Sequence, residues 1–517
     1  MIVDIDLSNR DVVFIHKKEF RTVYYTGVEI ENDIKKLLGF FTKNKIKKGD
    51  KILVLGQNSP QLAAVFLAAI RAGIILVPLD IHSSFAFIKK VKQQTKAKIF
   101  FTDTPIMSLK IKTVFIENLF ENLDETYSYK ENKINENDII EIVYTSGTTG
   151  DPKGVILTHK NIATNISQLE ELYDFKDETL LSLLPLSHVF EQTVGFFLPL
   201  KIGAKIVYLE KLNSREIAKV LKEQKITISL VVPRILRLFK ERIEEKIKEK
   251  RKQDEFALFR HIAKNLFLKK IFFRKIHKQF HYLKFFVVGG AFLDPKIEEF
   301  YEDIGIPLYQ GYGLTEASPV ISANYPGKKM LYSIGKILPN IKAKIVNGEI
   351  WVKGNSVFSG YYKRPDKNRE SFSGGWFKTG DLGYIKNGFL YFKGRKKEII
   401  VTEAGINIYP EDIESILNNH PAVKEGCIVD LNGKIHAAVL LKKDIPIEDI
   451  ILEANKQLSA SQQISSYSLW PFEDFPHTPT MKIKRFEVQG FIAKKQMPQV
   501  HTYEDRLNLI ISKFTNK

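Results

Sequence analysis

The run LAAVFLAAIRAGIILVPL at 62–79 restricts the fold more than any other stretch of the chain. It is almost wholly apolar and close to the length of a membrane span, yet Arg71, Gly73 and Pro78 interrupt it. Read by its breakers, it is a buried helix over 61–72 followed by a buried strand over 74–78. KILVLG at 51–56 precedes it, and strand, helix, strand in that order is the signature of a parallel α/β sheet. The pattern returns at KIFFTD (98–103), at AKIVYLE (204–210) after a helix-like 189–201, and at TISLVVP (227–233). From about residue 345 the texture changes to short strands and Gly-rich turns. Strand EIIV, helix PEDIESILNN and strand CIVDLNGKIHAAVLL follow. The expected class is α/β, with a large N-terminal domain of several subdomains, a boundary near 394–398 and a small C-terminal α+β domain.

At 517 residues the chain is too long for one core. Its 44% hydrophobic and 27% charged residues exclude general disorder. The single cysteine, Cys427, excludes an internal disulfide framework and any multi-cysteine zinc site, and it fits a reducing, cytoplasmic setting. The start, MIVDIDLSNRDVVF, lacks the basic residues and apolar run of a signal peptide. The formal charge is +18, but only 15 of the 78 basic residues are arginine. Base readout favours arginine's rigid fork, and no nucleic-acid-binding module is recognisable, so no nucleic acid partner is expected. Half of the charge excess lies in 240–284, where 15 Lys/Arg face 6 Asp/Glu and the second part interleaves Phe, Leu and Ile with cations at helical spacing. Two readings of this block stay open. One is a basic amphipathic helix touching an anionic membrane, as a peripheral protein at its inner face. The other is a solvated helix whose apolar stripe packs on its own protein.

The string IIEIVYTSGTTGDPKGVILT at 139–158 carries the chemistry. An apolar strand enters a loop of Ser, Thr and Gly, and a second strand leaves it. Glycines let the backbone approach an anion, hydroxyl and N–H groups donate to it, and Lys153 adds a point charge. The loop is not a Walker P-loop, because Lys153 precedes Gly and the chain returns to strand rather than opening a helix. Further strings follow in order: GGAFLD (289–294), YQGYGLTE (309–316), WFKTGDLG (376–383), GRKKEIIVTEAGINIYPEDIE (394–414) and PHTPTMKIKR (476–485). Together they resemble the AMP-forming acyl-CoA synthetases, the adenylate-forming ligases, over residues 25 to 490. PLSHVFEQ (185–192) and TPTMKIKR look most like the long-chain fatty acid members.

What the resemblance implies can be written residue by residue. Thr145, Ser146, Gly147, Thr148, Thr149, Gly150 and Lys153 would cradle the phosphates of ATP. Glu316, with Thr145, would hold Mg²⁺, as a hard cation takes a carboxylate, a hydroxyl and phosphate oxygens. Tyr312, flanked by Gly311, Gly313 and Thr315, would stack on adenine while Gly289, Gly290 and Ala291 line its edge. Asp381 would accept both ribose hydroxyls and Arg395 would approach the same ribose. Lys482 matches the catalytic lysine at the α-phosphate and carboxylate. His188 matches a position beside the acyl entrance, and Lys397 matches the hinge. Gly405 would lie near the pantetheine tunnel. Taken singly, each has an ordinary role as a surface glutamate, core aromatic, turn aspartate or tail lysine; their joint order points to a site.

The resemblance implies an N-terminal AMP-binding domain over 1–394, a hinge at 395–398 and a C-terminal lid over 399–517. It implies a long-chain fatty acid–CoA ligase, using ATP, Mg²⁺ and coenzyme A on a fatty acid. Two alternatives are a fatty acyl-AMP ligase or acyl-carrier-protein synthetase passing the acyl group to a carrier, and a non-catalytic membrane-associated binder of lipid or nucleotide. Two departures stand out. Met481 stands where the common motif has Gly before the lysine, and VTEAGINI lacks the arginine that many members place after the hinge. A helix-like YEDRLNLIISKF follows near the C-terminus, with no role readable from its sequence.

Overall fold

The computed structural model describes residues 2–494 apart from 20, 105–108, 118, 121–122, 124–131, 146–151, 264, 403–405, 432, 444 and 479–480. The helix-like segment near the C-terminus lies outside these residues. Contacts divide the chain into two compact units. One comprises Met1–Lys344, Trp351–Thr379 and Ile385–Tyr391; the other comprises Ile345–Ile350, Gly380–Tyr384 and Phe392–Lys517.

In the first unit, β1 (Phe14–Lys17) and β2 (Thr22–Tyr25) form an antiparallel hairpin. β3 (Lys51–Leu55), β4 (Ile75–Pro78), β5 (Ile99–Thr102) and β6 (Lys112–Phe115) are parallel neighbours in the order β6–β5–β3–β4. β7 (Ile139–Thr145) and β8 (Lys153–Thr158), which flank the Gly-rich loop, complete this sheet as an antiparallel pair beside β4. The apolar run that opens the sequence argument forms a helix, Pro60–Ala72, and then β4. The Ser59 hydroxyl caps the helix by accepting from Leu62 N at 3.1 Å, and Gly73 ends it in the left-handed region at φ 67°. Nearly every helix residue is buried, each large one contributing about 1.5–3 kcal/mol. Gln61 and Arg71 are only half-buried, and of the two Arg71 carries charge. Its guanidinium donates to Glu31 Oε1 at 2.7 Å and to Ile5 O at 2.8 Å, which satisfies the charge that breaks the run. Among the described residues no helix is long and apolar enough to cross a membrane.

The second sheet of this unit is mostly parallel, in the order β13–β12–β11–β9–β10–β1. Its strands are β9 (Thr179–Leu181), β10 (Lys205–Leu209), β11 (Ile228–Val231), β12 (Phe285–Val288) and β13 (Leu308–Gly313), the last turning antiparallel into β14 (Val320–Ala323). The helix-like stretch 189–201 is a π-helical segment, Glu191–Phe197, running into the α-helix Leu198–Ile202. The basic block 240–284 is broken into helices Pro233–Glu249, Gln253–Ile262, Leu266–Phe272 and Arg274–His277. Arg251 at φ 52° and the capping residue Asn265 make the breaks. Phe239, Ile243, Ala263, Phe273 and Phe280 bury themselves against Phe286, Phe300 and Tyr301, so one stripe does pack on its own protein. Leu258, Phe267 and Ile271 face outward at 56%, 71% and 52% exposure.

In the second unit, the stretch read from sequence as one strand is a hairpin. Val423–Leu431 pairs antiparallel with Lys434–Leu441, and Gly433 at φ 77° lies in the turn. An Asn-Gly pair between alternating apolar residues is a strong hairpin signal, and it overrides the continuous apolar pattern. Ser466–Leu469 joins in parallel. Alternation serves two cores: Ile428, Ala437 and Val439 pack toward Ile413 and Ile450, whereas Cys427, Val429 and Ala438 pack toward Trp470 and Val488.

Candidate active site

Ligand sites in open α/β sheets form at the carboxyl ends of parallel strands. In the second sheet three strand ends carry sequence-expected residues, two of them on neighbouring strands. Gly289, Gly290 and Ala291 leave β12, and Tyr312, Gly313, Thr315 and Glu316 leave β13, the strand beside it. His188 follows β9, which pairs with β11, and β11 pairs with β12. Two glycines here sit against other parts of the chain, Gly313 too closely for any side chain. A Cβ on Gly313 would stand 1.8 Å from Pro319 O, and one on Gly289 would stand 3.1 Å from the Phe190 ring and 3.5 Å from Gly311 O. Tyr312 is partly exposed, as a ring must be to stack on a ligand.

Glu316 Oε1 accepts from the Tyr361 hydroxyl at 2.9 Å, and its carbonyl accepts from Phe358 N at 2.8 Å. The Lys153 ammonium group lies 5.7 Å from the centre of the same Tyr361 ring. β8 is clasped to this segment, since Tyr362 N donates to Gly154 O at 2.7 Å. The structure thus brings together Glu316, Lys153 and a tyrosine that the sequence reading did not single out. Burial, and then the Glu316 charge, push the Tyr361 phenol far above its ordinary range, so it stays a donor. Thr145 ends β7; its side chain, Ser146, Gly147, Thr148, Thr149, Gly150 and Gly405 lie outside the described residues.

The segment that carries His188 is held by a network of buried and half-buried groups. Asn58, from the turn after β3, donates to Leu184 O at 2.6 Å and to Ser182 Oγ at 3.0 Å, and accepts from Leu186 N at 2.8 Å. Gln192 donates to Leu186 O at 2.8 Å, and Ser182 Oγ donates to Glu191 at 2.5 Å. The His188 ring has its Nε2 3.9 Å from Asp80 Oδ2, beyond hydrogen-bonding distance. Burial lowers its proton affinity and Asp80 opposes that shift, which favours a neutral imidazole.

In the second unit Asp381, 2% exposed, pairs with Arg395 Nε at 3.2 Å. Gly380 N donates to Glu349 Oε1 at 3.0 Å, and Lys396 reaches the other oxygen of Glu349 at 3.2 Å. Lys397 is exposed and lies three residues after Gly394, where a Cβ would stand 2.7 Å from the Tyr409 ring. Lys482 lies on the segment before helix Arg485–Lys494 with its ammonium group 3.5 Å from Glu398 Oε1. Burial, first, and the nearby Arg395 lower its proton affinity, while Glu398 and Glu411 raise it.

These strand ends, loops and lysine-bearing segment have counterparts of known family. The family model described as AMP-binding enzyme matches residues 8–362. The chain belongs to the AMP-binding enzyme family. Within these adenylate-forming ligases, a 2-succinylbenzoate–CoA ligase of Bacillus cereus (strain Q1) is 28% identical, covering 93% of this chain and 98% of its own. A long-chain-fatty-acid–CoA ligase of Bacillus subtilis (strain 168) is also 28% identical, covering 88% of each chain. The structure of the Bacillus subtilis o-succinylbenzoate CoA synthetase with its acyl-adenylate OSB-AMP superposes with a TM-score of 0.77 at 24% identity. It covers 96% of this chain and 97% of its own, which is a likeness of fold.

The sequence reading of the adenylate-forming motifs missed Tyr361, Asn58, Asp80 and Glu398. The NSP turn before a helix and the paired tyrosines of SGYYKRP were visible signals, but nothing in them names their partners.

Proposed function

We propose that the chain activates a carboxylic acid with ATP and transfers the acyl group to the thiol of coenzyme A. In the first step a carboxylate oxygen bonds to the α-phosphorus and pyrophosphate leaves. In the second the thiol sulfur bonds to the acyl carbon, AMP leaves and the thiol proton is lost. The observation that carries this reading is that Gly289–Ala291 and Tyr312–Glu316 lie at the carboxyl ends of the neighbouring strands β12 and β13, with His188 following β9 of the same sheet, in a member of this family. Asp381, with Arg395 beside it, would take the ribose hydroxyls, and Lys482 would meet charge gathering at phosphorus. The oxygen-only pair Thr145 and Glu316 fits Mg²⁺, which would neutralise phosphate oxygens. Rotation about Lys397 would let a lid over 399–517 serve each step in turn, against an N-terminal domain over 1–394.

The acid we propose is a long-chain fatty acid. PLSHVFEQ and the Met-Lys of TPTMKIKR support it, as does the fatty-acid-specific relative. A second reading, an aromatic dicarboxylic acid, is favoured by the 2-succinylbenzoate-specific relative. We also infer that 240–284 draws the fatty acid from an anionic membrane surface, as a peripheral protein on its cytoplasmic side. Its net charge of +9 (15 minus 6) and the outward Leu258, Phe267 and Ile271 support that role. Pyrophosphate release measured with acids from acetate to oleate and with 2-succinylbenzoate tests the reading. It is run without acceptor, with coenzyme A and with a holo-carrier protein. Oleate-dependent release and a coenzyme A thioester are expected. Release with no acid at all would sink the reading, and transfer only to the carrier would replace its second step.

A further inference from the structure

The second unit encloses an ion network of which the chemistry above uses only Lys482. Arg485 is its centre. Its Nη1 donates to Glu414 and, at 2.6 Å, to Ile428 O; its Nη2 is 3.8 Å from Glu411, and its Nε is 3.5 Å from Glu398 Oε2. The other oxygen of Glu398 faces the Lys482 ammonium group at 3.5 Å. Both side chains are largely shielded, at 13% and 25% exposure, so the pair is screened far less than a surface pair. Glu398 also directly follows Lys397 in the chain.

We propose that Glu398 is the positioning residue for Lys482: anchored by Arg485, its carboxylate fixes the ammonium group and supplies the counter-charge. The inference rests on Lys482 acting in adenylation. Its physical content is a conflict among named neighbours. Burial strips water from Lys482, and Arg395 and Arg485 repel its charge; Glu398 and Glu411 are the groups that oppose this. Burial likewise works against the Glu398 charge, but Lys482, Arg485 and Arg395 outweigh it and hold the carboxyl below its ordinary range. Glu411 is itself pushed upward by burial, despite Arg485, which leaves Glu398 as the dependable anion. Because Glu398, Arg485 and Lys482 all belong to the second unit, a rotation at Lys397 would carry the tie intact.

The test uses the full chain with Glu398→Gln, Glu398→Asp and Lys482→Gln. Adenylation is followed by acid-dependent pyrophosphate release from about pH 6 to about 10, and thioester formation is followed from supplied acyl-adenylate. Glu398→Gln is expected to lower adenylation kcat about tenfold, with KM for ATP within about twofold. Its basic limb is expected about one pH unit lower, because the lysine loses its counter-charge. Thioester formation stays within about twofold. Glu398→Asp keeps the charge, so its basic limb stays in place while kcat falls several-fold. If Lys482→Gln adenylates normally, the role of Lys482 fails and the inference falls with it. If Lys482→Gln is inactive but Glu398→Gln keeps the normal rate and pH profile, the inference alone is overturned. Should the Gln variant fold poorly, the Asp variant decides: a kcat loss at unchanged melting temperature supports the proposal, and a normal kcat overturns it.

Discussion

Two kinds of candidate residue are at hand, and substitution should tell them apart. Lys482 would contact reacting atoms, so Lys482→Ala should cut adenylation on the order of 10²–10³-fold and spare thioester formation from supplied acyl-adenylate. Equal loss in both steps would contradict the role. Tyr361 acts through another group, donating to Glu316 at 2.9 Å while its ring faces Lys153. Tyr361→Phe keeps the ring and removes the donor, so KM for magnesium-bound ATP should rise about 3–10-fold with kcat little changed; an unaltered KM would show the bond to be idle. The difference also explains what was legible. Lys482 and Glu316 sit inside strings whose neighbours announce them. The partners of Tyr361, Asn58 and Glu398 are 45, 126 and 84 residues away along the chain, so only folding reveals what these residues hold.

At the scale of single elements, the end of β13 leaves no room for a side chain. Gly313→Ala would force a methyl carbon to within 1.8 Å of Pro319 O, a backbone atom that cannot swing aside. A loss of more than about 3 kcal/mol, or failure to fold, is expected in denaturant unfolding. A second element sets a pH dependence. Glu141 on β7 is fully enclosed, and burial pushes its carboxyl up to about 8 from an ordinary 4.5. The folded chain therefore holds a proton there that the unfolded chain gives up. Its contribution is complete below pH 4.5 and is lost as pH rises to about 8. Glu141→Gln should raise stability by about 1–3 kcal/mol above that pH and change little near pH 4, as melting temperatures across the range would show. His436, buried between Ser466 and Ser468 and lowered to about 4 by burial, works at the acid end, where stability is lost as pH falls from 6.5 toward 4. Element types were largely legible, because breakers such as Gly73 and Pro78 mark where periodicity changes. The hairpin at 423–441 went unread despite its Asn432-Gly433 pair, because two strands that are each buried on both faces read as one apolar run.

For the whole molecule, the charge and the motifs answer different questions. The basic block carries half the formal excess yet buries one apolar stripe in its own core, so sequence alone left two readings open. Changing the outward residues separates them: Leu258→Ser, Phe267→Ser and Ile271→Ser together should reduce co-sedimentation with phosphatidylglycerol vesicles. Melting temperature should barely move, since these side chains are about half to two-thirds exposed. Equal sedimentation of parent and variant would remove the membrane role. The two-unit division was visible as a change of texture, but 345–350 and 380–384 grouping with the later residues was not, because adjacency in space leaves no local mark. Cys427 offers an opening of another kind. It is the chain's one thiol, fully enclosed, and burial pushes it away from the reactive thiolate form. The native protein is therefore silent to thiol-directed dyes. Cysteines introduced at exposed Lys219 and Glu453, one in each unit, would be the reactive pair, and fluorescence transfer between their labels would report whether the two units move during turnover.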